Sequence, residues 1–300
     1  MGTGVIVEKV SVSRARQAHG WVMSTSVIAG LTFKEAARRK ILWAALLLGL
    51  AFLALYSWGL HALIKSDPGA FSRDPQLVRR QAVNFSTMMG LYAVNYLTVL
   101  MTVLTSVDTL AGEISSGTIQ AVVTKPMSRW QVVLGKWLGF VGMLTMYLTF
   151  MAGGVLVATF LLSGYAPRHI LQGLSLMWLE SLLLLSVTFL WGTSFSTLTT
   201  GVLTVGLQGL AFIGSWIEQF GAMTRSQTAV NIGVVSSLIM PSEALWRRAA
   251  FEMQSPLVSA LGVSPFAGAS VPSVAMIIYA GIYMAVAFGL AIRWFGQRDL

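Results

Sequence analysis

Few residues of this chain could perform covalent chemistry. Histidine occurs only at His19, His61 and His169, far apart and without metal-ligand spacing. With no cysteine anywhere, thiolate nucleophiles, thiolate metal sites and disulfides are excluded. Gly135-Lys136 has the look of the end of a phosphate-binding loop. However, no glycine lies five residues before Gly135, and Trp137 stands where Ser or Thr is needed. The Gly192-Thr-Ser-Phe195 run could suggest a membrane serine protease, yet no histidine follows it. The chain itself is expected to catalyse nothing, to hydrolyse no ATP, and to hold no metal or cofactor of its own.

The other notable groups are polar residues set in apolar surroundings. Glu180 falls near the middle of a long apolar run. A carboxylate at the bilayer centre costs about 2.5–3.5 kcal/mol on insertion scales, so it points to function or to a dedicated partner. Gln208 is one candidate partner. Tyr92, Asn95 and Tyr96, together with Gln208, are polar enough to line a pathway, and equally able to act as interhelical glue. Glu180 is expected to face the bundle interior or a translocation path.

The elements that position these residues follow from composition. Of 300 residues, 55% are hydrophobic and 10% charged, and the mean hydropathy is +0.73. A soluble domain carries about 25% charged residues, so a water-exposed surface cannot be built from this sequence. The apolar residues fall in long uncharged blocks, as spanning helices require. The expected fold is an all-α membrane domain over 1–300 with six spans, at 41–60, 86–107, 137–163, 170–191, 198–217 and 271–292. Residues 181–217 carry no charge, and as one helix they would reach about 55 Å. They must fold back, and the Ser/Thr-rich stretch from Gly192 to Gly201 is the natural turn. Residues 61–85 read as a wet loop or short exposed helix. Residues 218–270 form a long extracytoplasmic segment broken by Pro241, Pro256 and Pro265. Small-residue stripes at Gly281, Ala285 and Gly289, and at Gly135 and Gly139, allow close helix approach within one chain or at a dimer seam.

Charge sets the orientation. Lys34, Arg38, Arg39 and Lys40 crowd the start of the first span, whereas only Lys65 lies close behind its end. That bias favours a cytoplasmic N-terminus; six spans then put the C-terminus, 108–136 and the 192–201 turn on the same side. The first apolar run begins only at Ile41, so no cleavable signal peptide is expected. Thr32 and Glu35 have capping-box spacing, and a basic helix is expected to start there and lie on the membrane surface ahead of the first span. A plain block of charge is the alternative. The net charge of +9 is scattered among membrane flanks; it suits anionic lipid headgroups, and no nucleic-acid recognition motif accompanies it.

The most informative stretch is cytoplasmic segment 108–136. Gly117 permits a bend, and 118–123 can form a short helix exposing Ile119, Val122 and Val123. Pro126 ends it. Ser128 and Gln131 have capping-box spacing and start the helix that becomes the third span. A short helix with an apolar face and nothing of its own to cover it calls for a partner.

Glu113-Ile-Ser-Ser-Gly-Thr-Ile-Gln120, then Lys125-Pro-Met-Ser-Arg-Trp130, then Leu134-Gly-Lys136 resembles the signature of type-two ABC transporter permeases. The stretch from Met240 to Trp246 is similar to a segment after the fifth span in one branch of that family. The resemblance implies a permease that dimerises, as a homo- or heterodimer, with each copy docking on a separate ABC ATPase subunit that binds ATP and Mg. In those terms 118–123 is a coupling helix. Glu113, Gly117, Thr118, Pro126 and Arg129 fall on motif positions, and Ile119 and Val122 would supply the apolar contact. The resemblance also implies a pathway along spans 2 and 5. The competing reading is a secondary transporter driven by an ion gradient, which calls for inverted repeats and paired broken helices; neither is evident in the sequence.

Overall fold

A computed structural model describes residues 25–38, 40–65, 75–115, 128–254 and 271–298. Its described residues are helical almost throughout, with no strand among them. In chain order the helices are α1 (residues 25–38), α2 (Lys40–Lys65), α3 (Pro75–Ser115), α4 (Arg129–Ser163), α5 (Ile170–Gly192), α6 (Thr197–Met223), α7 (Gln227–Ile239), α8 (Ser242–Met253) and α9 (Val274–Gln297). Six of them, α2 to α6 and α9, are long and apolar enough to cross a membrane. They alternate between a near end, where the chain enters α2, and a far end. The chain is an all-α membrane protein.

Several helices run beyond the expected spans. α3 is 41 residues long, about 60 Å. It takes in 75–85, part of the expected wet loop, and carries Asp108 and Glu113 as its last turns. α1 is already helical at Thr25, so Thr32 and Glu35 lie inside it and cap nothing. Thr25, Ile28, Thr32 and Ala36 form its buried face. That face rests on α4, where Gly135 approaches Ile28 and Gly139 approaches Thr32 too closely for any Cβ. The small-residue stripe of α4 therefore packs within the chain. Lys34, Arg38 and Lys40 are exposed; Arg39 lies outside the described residues.

α5 sits at the centre, with 78% of its apolar window buried, against 6% for α2 and 17% for α9. From Ser181 to Leu190 every residue is buried, and an uncharged, largely apolar run is what such a position demands. The stripe on α9 behaves differently from that on α4: Ala280, Ala287, Ala291 and Phe295 turn inward, while Gly281 and Gly289 meet nothing within 4 Å.

Termini are defined by local chemistry. At the near end, the Ser128 N–H donates to Gln131 Oε1 at 3.1 Å, the side-chain reach-back of a capping box at the start of α4. At the far end, Gly164 closes α4 in the left-handed conformation (φ 67°), its N–H donating to the Phe160 carbonyl at 2.8 Å. Tyr165 follows and donates its hydroxyl to Asn84 Oδ1 at 2.6 Å. Burial pushes the Tyr165 phenol above its ordinary range, with Arg168 working against it.

Segment 218–270 holds the feature that the sequence did not reveal. α6 continues to Met223, and α7 then returns along it. Gly214, Gly221 and Gly233 leave no room for a Cβ between the two helices. At Met240-Pro241 the chain bends by 107° into α8. Proline removes an N–H and pushes its predecessor into extended backbone, as seen for Met240 (φ −143°, ψ 100°). α7 has 13 residues, about 20 Å, too short to cross a hydrocarbon core of about 30 Å. Since α8 climbs back until Met253 touches Gly173 at the start of α5, the pair enters and leaves at the far end. It is re-entrant.

Candidate functional site

Two polar assemblies stand out, one at the near end and one at mid-depth. The near-end assembly is built from the flanks of 116–127. Glu113, on the last turns of α3, pairs with Lys136, two turns into α4. Their side chains are 18% and 8% exposed, respectively, so the charges are largely withdrawn from solvent. Arg129, on the first turn of α4, donates to the carbonyls of Gly296 (3.3 Å) and Arg298 (2.5 Å) at the C-terminal end of α9. These are orphan carbonyls at a helix C-terminus, which a guanidinium satisfies well. Arg298 in turn donates to the Thr193 carbonyl in the α5–α6 turn. Thr197 Oγ1 donates to Asp108 Oδ1 at 3.2 Å, joining α6 to α3. The near ends of α3, α4, α5, α6 and α9 are thereby tied into one network. Gly117, Thr118, Ile119, Val122 and Pro126, with the expected short helix, lie outside the described residues.

The mid-depth assembly gathers every expected intramembrane polar residue. On α3, spacings of three, four and eight place Asn84, Thr87, Asn95, Thr98, Thr102, Thr105 and Thr109 on one buried face. Thr87, Thr98, Thr102 and Thr105 donate to carbonyls four residues back at 2.7–2.8 Å, which lets hydroxyls sit inside a bundle. On α6, Thr200, Thr204, Gln208, Ser215 and Glu218 form the matching buried stripe. Glu180 of α5 is 1% exposed and faces this interior. Its partner is Asn95, whose Nδ2 donates to Oε2 at 3.1 Å. Gln208 was a candidate for that role, but neither of its amide atoms has a hydrogen-bond partner. The reason is helical phase: Asn95 lies on the face of α3 that packs on α5, whereas the face of α6 bearing Gln208 reaches toward Tyr96 through Phe212. Tyr92 and Tyr96 pack edge-on at 5.0 Å, and Tyr92 lies 5.2 Å from Trp246 of α8.

α8 contributes four charged residues that sequence reasoning missed: Glu243, Arg247, Arg248 and Glu252. Glu243 is 3% exposed, within hydrogen-bonding reach of Tyr92 and electrostatic reach of Glu180. One turn on, Arg247 donates to Glu218 Oε2 of α6 at 2.8 Å, with side chains 5% and 4% exposed. Such a buried pair is tolerated only because each partner meets the other. Nearer the far end, Arg248 donates to Glu252 Oε1 at 2.5 Å, and His169 lies 3.3 Å from Glu252 Oε2. The signal was present in the sequence as Glu243 and Arg247 one helical turn apart within the charged stretch Ser242–Met253, but only the bend brings them to Glu218 of α6.

Among the described residues, no three His, Cys, Asp or Glu side chains converge as a metal site would require. No curated protein matches the chain. The model of the ABC-2 family transporter protein, by contrast, matches residues 26–300. That span holds all six membrane-crossing helices, the re-entrant pair and both polar assemblies; the chain belongs to the ABC-2 transporter family and is a membrane subunit of that kind.

Proposed function

We propose that the chain is the permease subunit of an ATP-driven exporter in the plasma membrane, paired with a second permease copy and driven by a separate ABC ATPase subunit. The near-end network supports this reading most directly. Residues 116–127 connect two helices whose near ends are clasped by Glu113 and Lys136, and the same network extends through Arg129, Arg298, Thr193, Thr197 and Asp108 to the other spans. A push on the segment would reach five helices at once. In this reading the near end is cytoplasmic, with both termini, and 116–127 carries the coupling helix. Nucleotide-driven closure of two ATPase subunits, each holding ATP and Mg, moves the near ends of the two permease copies. The Thr-rich stripes of α3 and α6 give the bundle a polar interior seam along which helices can shift without exposing backbone groups to lipid.

The test is co-purification of the full chain with an ATPase subunit, followed by hydrolysis and transport assays. Gly117→Pro and Glu113→Lys are expected to leave hydrolysis running while transport falls at least about tenfold, a change of about 1.4 kcal/mol in coupling. Unaltered transport in both variants would refute the coupling role. An ion-gradient-driven mechanism predicts transport that persists without the ATPase partner.

A further inference from the structure

The far ends of the helices carry five exposed cations that the chain does not neutralise. Lys65 ends α2, Arg79 and Arg80 lie on the outer turns of α3, Arg168 stands in the α4–α5 turn and Arg225 in the α6–α7 turn. Among the described residues none of the five pairs with a carboxylate. Glu252, at the same end, is already shared by Arg248 and His169. In the orientation proposed above this is the outer side, where Lys and Arg are normally sparse. Topology therefore does not account for them, and a partner of opposite charge does.

The height of this rim follows from Asn84 and Tyr165. Their hydrogen bond, at 2.6 Å, sets α3 beside the α4–α5 turn. Arg80 and Arg79 lie four and five residues before Asn84, and so stand about 6–8 Å beyond that turn. A bilayer adds about 10–15 Å in all outside its hydrocarbon core, so this is about the depth of one headgroup layer.

Two features identify the occupant. The cations are distributed over the outer ends of α2, α3, α4 and α6 rather than confined to one helix, as a partner that surrounds the bundle requires. Bare apolar surface lies close to three of them. Trp58 precedes Lys65 by two turns, Leu171 (83% exposed) follows Arg168, and Met223 (75% exposed) precedes Arg225. A cation above an apolar ledge fits an amphipathic anion, whereas a soluble anion has no use for the ledge.

We propose that the far rim binds anionic phospholipid of the far leaflet and selects it over zwitterionic lipid. Arg79, Arg168 and Arg225 meet the headgroup phosphates, and Leu171 and Met223 lie under the acyl chains. This goes beyond the permease reading and does not depend on it.

The absence of cysteine makes the rim addressable. The full-length Leu171→Cys chain is labelled with bimane and reconstituted in phosphatidylcholine vesicles. These contain nitroxide-labelled phosphatidylglycerol or nitroxide-labelled phosphatidylcholine at equal mole fraction. Phosphatidylglycerol is expected to quench at least about twofold more strongly at about 0.1 M salt. The preference should largely vanish at about 1 M salt, where the screening length falls to about 3 Å. It should also vanish in the Arg79→Gln/Arg168→Gln/Arg225→Gln background, while a Val27→Cys probe at the near end responds to none of those three changes. Equal quenching by the two lipids at low salt would overturn the proposal and leave the rim to an acidic protein or a soluble anion. So would a preference that ignores salt or persists in the triple variant. Should that variant fail to reconstitute, the salt series on the Leu171→Cys chain with its native arginines decides. The permease reading stands or falls separately, on recruitment of an ATPase.

Discussion

Glu113 and Lys136 stand 23 residues apart on either side of 116–127 and close on each other as an ion pair. The last turns of α3 and the first turns of α4 are thereby held to each other. Local sequence alone does not show this pairing, since the two residues lie 23 positions apart on different helices.

If the clasp transmits force, its charges are interchangeable as a pair. Lys136→Glu and Glu113→Lys should each lower the transport obtained per ATP hydrolysed, and the double swap should restore most of it. The readout is the ratio of transport to hydrolysis. Lys136→Met should also cost roughly 2–3 kcal/mol of stability, because it strands a largely buried carboxylate.

Arg129 caps the carbonyls that end α9. Arg129→Ala removes two charge-assisted bonds, and a loss of about 1–3 kcal/mol is expected. Hydrogen exchange should quicken at residues 293–298 while the centre of α9 stays protected. Uniformly faster exchange along α9 would show that the arginine has a broader role.

Asn95 is the hydrogen-bond partner of Glu180. Asn95→Leu should destabilise the chain more than the Asn95→Leu/Glu180→Leu pair, because the single change leaves a buried carboxyl without its donor. A thermodynamic cycle from thermal or denaturant unfolding reads the coupling. Additive effects would mean that the two groups do not rely on each other.

The re-entrant pair depends on close approach at Gly233, whereas Gly289 faces open space. Gly233→Val is expected to cost about 1–3 kcal/mol or more through overpacking against α6. Gly289→Ala should be neutral in the isolated chain. Equal effects of the two substitutions on the unfolding midpoint would contradict the packing described here.

Much of the architecture was legible in the sequence because a bilayer imposes length and apolarity on each crossing. The uncharged 181–217 block, interrupted only by Gly and Ser/Thr at 192–201, announced two helices and a turn, and the turn falls at 193–196. Glu180, Tyr92, Asn95, Tyr96 and Gln208 were recognisable as interior because lipid does not tolerate them. Helix phase, which decides partners, was not legible: it gave Glu180 to Asn95 and left Gln208 unpaired. Nor was the re-entrant pair, because α7 is apolar but short and α8 is charged but buried. Each departs from the length and polarity rules by which spans and loops are told apart. Thr32 and Glu35 mimicked a helix start because capping spacing also occurs inside helices; α1 begins earlier and packs on Gly135 and Gly139.

The central claim is that 116–127 meets an ATPase subunit on the cytoplasmic side, and the absence of native cysteine makes it directly testable. A single Ile119→Cys chain can be cross-linked and labelled without background. The account predicts a cross-link to the ATPase subunit and no reaction with a membrane-impermeant thiol reagent applied to intact cells. Labelling from outside, or a cross-link formed only within the same chain, would contradict it.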